Sequence, residues 1–125
     1  MIIKFVYLAI GGATGTIARH ALSQAVYRML GASFPYGTFL VNLTGCFILG
    51  FLVSFTEKKL LLDANMRLLI MVGFCGAYTT FSTFIFETAN LIKDGEVTRA
   101  FLNVLLSVVI GFIVLRIGIF LGEIF

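Results

Sequence analysis

Hydroxyl side chains are concentrated in one apolar stretch of the chain, residues 73–90, which reads GFCGAYTTFSTFIFETAN. Five of the six residues at positions 78–83 carry a hydroxyl group, and Phe81 and Phe84 stand among or beside them. Hydroxyl groups both donate and accept hydrogen bonds, and the edge of a phenyl ring carries partial positive charge. Because Phe81 and Phe84 are three residues apart, a helix would hold both rings on one face. The pattern indicates either a path for a small anion or two packing residues in an apolar protein.

Two other apolar stretches carry polar side chains at the spacing of one helical face. Thr38 and Asn42 are four residues apart, and so are Asn103 and Ser107. Polar groups are costly in hydrocarbon, so such residues face either other helices or a water-containing path. One ladder of this kind is explained by hydrogen bonding between helices, whereas several ladders are also what a permeation path requires. Both interpretations stay open at this level.

The spacing of Thr79, Thr83 and Glu87 predicts a third ladder of the same kind. The segment GFCGAYTT, which leads into this ladder, is rich in glycine and hydroxyl groups, so we expect the third helix to be broken there. A break at membrane depth is tolerated where it lines a cavity or is buried in protein. Free carbonyl groups at such a break suit a cation, and free amide groups suit an anion.

The composition requires a bilayer as the solvent for these elements. Hydrophobic residues make up 60% of the 125-residue chain and charged residues 12%, against about 25% in soluble domains. Residues 29–56, 68–86 and 100–115 contain no charged side chain, and a membrane-spanning helix needs about 20 apolar residues. We therefore predict an all-α integral membrane protein with a single domain, whose first span is not a cleaved signal peptide. The four spans are expected at about residues 2–30, 37–56, 65–92 and 97–122.

The basic residues stand singly near the ends of the apolar runs. This arrangement is typical of anchors at the membrane surface and not of a nucleic-acid interface, although the net charge is +3. Four spans place both termini and the second loop on one side, with five Lys or Arg residues against four on the other. Because the Lys and Arg bias sets orientation, two hypotheses fit: a dual-topology antiparallel dimer, or an ordinary protein with a weak orientation signal.

No grouping of residues indicates an enzyme. His20 is the only histidine, and we interpret it as an interfacial residue. Cys46 and Cys75 lie in apolar runs without the spacing of a metal site, and we interpret them as buried small residues. A small dual-topology multidrug or cation exporter is one alternative, but it would need a carboxylate deep in the first span, where this chain has Arg19. A membrane subunit without transport activity is another, but it would leave the polar ladders unexplained.

Three motifs, in order along the chain, resemble the Fluc (CrcB) family of fluoride channels. They are GGATGTIARH in the first span, PYGTFLVNLTGCFILG in the second and GFCGAYTTFSTFIFE in the third. The resemblance covers essentially the whole chain, and the third motif is the most specific. It implies an antiparallel homodimer with two pores in the plasma (inner) membrane of a prokaryote. Such a channel lets fluoride leave the cell down its electrochemical gradient and protects against fluoride toxicity.

The resemblance also implies roles for individual residues. Phe81 and Phe84 match the paired phenylalanines that face the fluoride path, and Asn42 matches the pore asparagine. Arg19 matches an arginine near the aqueous vestibule. The other polar groups expected along the path are Thr38, Thr80, Ser82, Thr83, Glu87, Asn103 and Ser107.

A structural sodium ion at the centre of the dimer is a further implication of the resemblance. Its ligands would be the backbone carbonyl groups of Gly76 and Thr79, at the expected break in the third helix. Carbonyl oxygen is a ligand that hard cations prefer. The cation is expected to be structural, because a path for anions offers it no route.

Overall fold

Every regular element of the protein is helical. The computed structural model describes residues 1–125. Its elements are α1 (Ile2–Leu30), α2 (Tyr36–Lys59), α3 (Ala64–Arg67), a π-helical segment (Leu68–Cys75), α4 (Gly76–Tyr78), α5 (Phe81–Lys93) and α6 (Val97–Ile124). Helices long and apolar enough to cross a membrane occupy Ile2–Leu30, Tyr36–Lys59, Ala64–Lys93 and Val97–Ile124. The predicted all-helical architecture with four spans is thus confirmed, and the chain is a multi-pass membrane protein.

The second span is longer than expected at its carboxyl end. α2 continues past residue 56 to Lys59, because this charged segment still favours helix and its lysines find partners. The Lys58 ammonium donates a hydrogen bond to the Glu123 carbonyl oxygen at 2.5 Å, and the Lys59 ammonium lies 4.7 Å from the centre of the Phe55 ring. Lys58 therefore connects the end of α2 to the end of α6, whereas Lys59 packs on a ring of α2 itself.

The connections on either side of the third span are short. Asp63 caps α3 by accepting a hydrogen bond from the Met66 N–H group at 2.8 Å. An Asp-Gly pair is a typical turn signal, and the chain turns at Asp94 and Gly95, where Gly95 has a φ of 78° that favours glycine. The N–H group of Glu96 then bonds back across this turn, which closes the end of α5 before α6 begins.

Glycine residues bring the helices into close contact. A Cβ atom at Gly11 would overlap the carbonyl oxygen of Leu69, and one at Gly15 would overlap that of Phe74. α1 therefore packs backbone to backbone against the π-helical segment, as small residues allow in membrane proteins. α2 and α6 approach each other in the same way at Gly50, Gly118 and Gly122.

Large apolar side chains cover much of the outer surface. On α6, Val108, Phe112 and Phe120 are all more than half exposed in the single chain. A water-soluble monomer rarely exposes so continuous an apolar surface, whereas a bilayer solvates it. The outward face of α6 is therefore suited to contact lipid or another subunit.

The chain leaves helical geometry for two residues between α4 and α5. Thr79 has a ψ of 155°, and Thr80 has a φ of −147° and a ψ of 120°, so both are extended. Their β-branched side chains favour this conformation. Thr80 is the N-cap of α5, because its hydroxyl accepts a hydrogen bond from the Thr83 N–H group at 3.3 Å.

The extended backbone overturns the ladder of Thr79, Thr83 and Glu87. Thr83 and Glu87 do share a face of α5, but Thr79 lies before that helix begins. The methyl group of Thr79 instead packs against α2 at Gly45. Spacing by four residues places side chains on one face only within a continuous helix. The Thr79 N–H group still bonds to the Cys75 carbonyl oxygen, but the Thr80 N–H group bonds to Asn42 instead of to the preceding turn.

Candidate functional site

An open groove of about 480 Å³ lies between α2, α6 and the third span; we call it the phenylalanine groove. Asn42 and Ser107 contribute polar side chains to it, and Phe81 and Phe84 contribute aromatic rings. The remaining lining residues are Gly45, Cys46, Leu49, Met71, Cys75, Gly76, Thr79, Thr80, Val108 and Leu115. Residues of three different spans, each singled out from the sequence, are thus brought to one surface.

The two phenylalanine rings are neighbours but differ in their surroundings. Their centres are 6.0 Å apart and their planes are tilted by 49°. Phe84 is buried at 8% exposure, whereas Phe81 is 75% exposed in the single chain. Phe84 is therefore held by the protein around it, while Phe81 projects from the open side of the groove.

Asn42 is fixed by two hydrogen bonds to the backbone of Thr80. Its Nδ2 group donates to the Thr80 carbonyl oxygen at 3.0 Å, and its Oδ1 atom accepts from the Thr80 N–H group at 2.8 Å. A buried backbone group without a partner is costly, and this amide supplies the partners that the helix no longer provides. One of the two amide hydrogens of Asn42 remains for another acceptor.

A second cavity, of about 380 Å³, lies between α1, α2 and the start of α5; we call it the polar cleft. It contains Arg19 together with Glu87, whose Oε1 atom accepts hydrogen bonds from the Tyr27 hydroxyl at 3.1 Å and the Thr38 hydroxyl at 3.0 Å. The other lining residues are Thr16, His20, Ser23, Gln24, Val41, Thr80 and Thr83. The cleft therefore combines a basic and an acidic side chain with hydroxyl and amide groups.

Thr80 lies between the two cavities and lines both of them. Its hydroxyl donates to the Thr83 hydroxyl at 3.1 Å, and Thr83 faces the polar cleft. Thr80 is the one residue that the linings of the cleft and the groove have in common. The extended backbone at Thr80 makes this possible, because it turns the chain away from the helix axis.

Carbonyl oxygens are left without partners where the third span is interrupted. No N–H group or side chain of the protein donates to the carbonyl oxygens of residues 76–79, since the Thr80 N–H group bonds to Asn42. Gly76 is exposed, and a Cβ atom there would meet nothing within 4 Å. No group of three acidic, His or Cys side chains that could hold a metal is present. The donors available to a cation here are therefore backbone oxygens, which fit a hard ion such as sodium.

Comparison with known sequences identifies the family of this membrane protein. The family model described as "CrcB-like protein, Camphor Resistance (CrcB)" matches residues 6–119. The chain belongs to the CrcB family. The resemblance found in the three sequence motifs is thereby confirmed.

Curated relatives of this CrcB protein carry the name "Fluoride-specific ion channel FluC". The relative from Maridesulfovibrio salexigens is 44% identical over 120 residues, which cover 96% of this chain and 95% of the relative. The relative from Geobacter sp. (strain M21) is 45% identical, with 96% and 97% covered. One from Dehalococcoides mccartyi is 41% identical, with 96% and 92% covered. These relatives are named as channels and not as enzymes, which agrees with the interpretation of the sequence.

Three of the predicted path residues of the CrcB chain differ in their placement. Ser107 lines the phenylalanine groove, at 3.5 Å from the Oδ1 atom of Asn103. Asn103 itself is 1% exposed and donates a hydrogen bond to Thr88, so it lies inside the chain. Ser82 is exposed and lines neither the groove nor the polar cleft.

The polar residues of α1 are the part of the site that the sequence interpretation missed. Ser23, Gln24 and Tyr27 line the polar cleft beside Arg19, which had been singled out alone. A signal was present, because Thr16, Arg19, Ser23 and Tyr27 follow one another at intervals of three and four residues. The first span thus carries a polar ladder of its own.

Proposed function

We propose that this CrcB protein is a fluoride-selective anion channel through which fluoride leaves a prokaryotic cell across the plasma (inner) membrane. The observation that carries the proposal is the pair of rings, Phe81 and Phe84, beside the amide of Asn42 in a groove of a membrane protein. Ring edges and an amide hydrogen are donors that can replace water around an anion. The names of the curated relatives support the same function.

The proposed path runs from the polar cleft, past Thr80 and Thr83, into the phenylalanine groove. Arg19 in the cleft raises the local anion concentration, because a positive charge at a vestibule attracts counter-ions. The hydroxyl groups of Thr80 and Thr83 then offer donors to an ion that has shed water. Each contact is modest, which agrees with the need for an ion to leave as well as to enter.

The groove and the exposed ring of Phe81 support assembly with a second copy of the chain. A single chain would leave Asn42, Ser107 and the free carbonyl groups of residues 76–79 facing lipid, where polar groups are costly. We infer that a second copy covers this side and completes two pores, each lined by both subunits. The near balance of Lys and Arg on the two sides of the membrane supports an antiparallel arrangement.

The free carbonyl groups of Gly76 and Thr79 support a sodium ion at the dimer centre. Two copies of the chain would supply four such oxygens, and the lone subunit offers too few to enclose a cation. Sodium would offset the repulsion between the carbonyl oxygens that face each other across the interface. The residues of the chain hold this ion in place and have no part in moving it.

Fluoride efflux from liposomes that contain the purified protein tests the proposed function. The expected result is rapid efflux of fluoride, measured with a fluoride electrode, from vesicles loaded with sodium fluoride. Vesicles loaded with chloride are the selectivity control, and protein-free vesicles are the leak control. Equal chloride efflux, or proton-driven transport of an organic cation without fluoride efflux, would overturn the proposal.

A further inference from the structure

Two buried polar side chains connect α5 to α6 behind the phenylalanine groove. The Asn103 Nδ2 group donates a hydrogen bond to the Thr88 hydroxyl at 2.9 Å. Asn103 is 1% exposed and Thr88 is 8% exposed, and neither lines the groove or the polar cleft. These two residues are thus enclosed by the chain itself, and direct contact with a permeating ion does not account for them.

The hydrogen bonds continue from Thr88 to the residue that carries the buried ring. The Thr88 hydroxyl donates to the carbonyl oxygen of Phe84 at 2.7 Å, one helical turn earlier. Since a hydroxyl has one hydrogen, this contact and the bond from Asn103 together fix its orientation. The amide on α6 is therefore connected, through one hydroxyl, to the backbone of Phe84.

The same amide also reaches the polar wall of the groove. The Asn103 Oδ1 atom lies 3.5 Å from the Ser107 hydroxyl, and Ser107 lines the same groove as Phe84. α5 has only 13 residues and follows two extended ones, so it is less constrained by its own chain than the long helices are. A buried polar connection to α6 is a means of fixing it.

We propose that Thr88 and Asn103 are positioning residues that hold the Phe84 ring in register with Ser107 and so set the rate and selectivity of ion passage. The expected effect of these two residues on ion flux rests on the proposed function. Their expected effect on the position of the Phe84 ring does not. Asn103 acts through Thr88, and Thr88 acts through the Phe84 backbone. The sequence motif that contains Phe84 therefore depends on an amide on another helix.

A conservative pair of variants separates this role from simple packing. Thr88→Val keeps the shape of the side chain and removes the hydroxyl, whereas Thr88→Ser keeps the hydroxyl and removes a methyl group. We expect Thr88→Val to lower fluoride efflux by about five- to tenfold, the range that one lost hydrogen bond allows, and Thr88→Ser to stay within about twofold of wild type. A residue that only fills space would show the reverse order, with serine the more damaging change.

The position of the ring is measured directly with 4-fluorophenylalanine placed at Phe84 and followed by ¹⁹F NMR in detergent. The resonance should shift or broaden in Thr88→Val and in Asn103→Leu, and should be unchanged in Thr88→Ser. Thr88→Ala serves as the second hydroxyl-free variant if Thr88→Val does not elute as a folded protein. An unchanged resonance in the hydroxyl-free variants would overturn the positioning role, whatever the flux.

The flux measurements are repeated in a Phe84→Ile background. If Thr88 acts through the ring, Thr88→Val causes no further loss there, whereas general destabilisation would add to it. Wild-type efflux and the Phe84→Ile loss test the proposed function in the same series. Absence of fluoride efflux from the wild type would defeat that function, while the ¹⁹F result would still decide the positioning role.

Discussion

The side chain of Asn42 on α2 takes the place of the missing helical partners of Thr80. It donates to the Thr80 carbonyl oxygen at 3.0 Å and accepts from the Thr80 N–H group at 2.8 Å. A residue expected to serve the permeating ion therefore also stabilises the interruption of the third span. The amide hydrogen that remains is the one available to an anion.

Replacing Asn42 with alanine should affect stability as well as flux. The backbone N–H and carbonyl groups of Thr80 would lose their partners, at a cost of about 1–3 kcal/mol. We expect a folded but less stable protein with strongly reduced fluoride efflux. Chemical unfolding in detergent and liposome efflux measure the two effects. Asn65→Ala in α3, outside both cavities, is the matched control. Equal stability of the two variants would show that the hydrogen bonds from Asn42 to the Thr80 backbone do not stabilise the protein.

Gly45→Ala should disturb the interruption from the side of α2. A Cβ atom at Gly45 would overlap the methyl group of Thr79 and press on the Tyr78 ring. Overpacking of this kind costs about 1–3 kcal/mol, and we expect lower thermal stability and lower efflux. Gly12→Ala is the control, because a Cβ atom there meets nothing within 4 Å and alanine favours helix. Similar melting temperatures for both variants would argue against this contact.

Phe81→Ile and Phe84→Ile should each reduce fluoride efflux strongly. Isoleucine retains an apolar side chain but lacks the positive ring edge that an anion requires. The stability loss should be about 1–2 kcal/mol at the buried Phe84 and smaller at the exposed Phe81. Initial efflux is measured at matched protein density, with dimer retention checked by size exclusion.

Phe112→Ile on the outer face of α6 and Phe51→Ile, next to the stacked ring of Phe55, are the controls for the ring variants. Both should conduct nearly as well as wild type, since neither ring lines the phenylalanine groove. Wild-type efflux from Phe81→Ile and Phe84→Ile would show that those rings only pack. The path would then have to be sought elsewhere.

Both orientations of the chain should be present in the membrane. We expect Asp94→Cys, in a background without Cys46 and Cys75, to react in about half of the copies when intact cells meet an impermeant thiol reagent. Asp94 is preferable to Gly95 as the labelled position, because the φ of 78° at Gly95 disfavours a side chain. Permeabilised cells should label completely, and all-or-none labelling of intact cells would exclude dual topology.

Removal of sodium should destabilise the dimer. A ligand that binds only the folded assembly raises its stability with the logarithm of its concentration. We expect the melting temperature to fall as sodium is replaced by N-methylglucamine at constant ionic strength. A melting temperature that does not depend on sodium, together with no anomalous or ion-replacement signal near the Gly76 and Thr79 carbonyl groups, would rule out the site.

The sequence by itself determined the membrane class, the four spans and the family. Long uncharged runs leave no alternative to a bilayer, and the motifs around Asn42 and Phe81 are local enough to read directly. The turn at Gly95 can also be predicted from the sequence, since its signal is the adjacent pair Asp94 and Gly95. These features depend on composition and on short stretches of chain, which is why they could be predicted.

Only the tertiary structure decided which polar residues meet. The spacing of Thr79 and Thr83 suggested one helical face, but Asn42, more than 30 residues away, pairs with the backbone and separates them. Asn103 and Ser107 looked equivalent on α6, yet the approach of α5 buries the first against Thr88 and leaves the second in the groove. Helical periodicity gives the direction of a side chain from its own axis, whereas the neighbouring helix determines whether that direction leads to a cavity or to a hydrogen-bond partner.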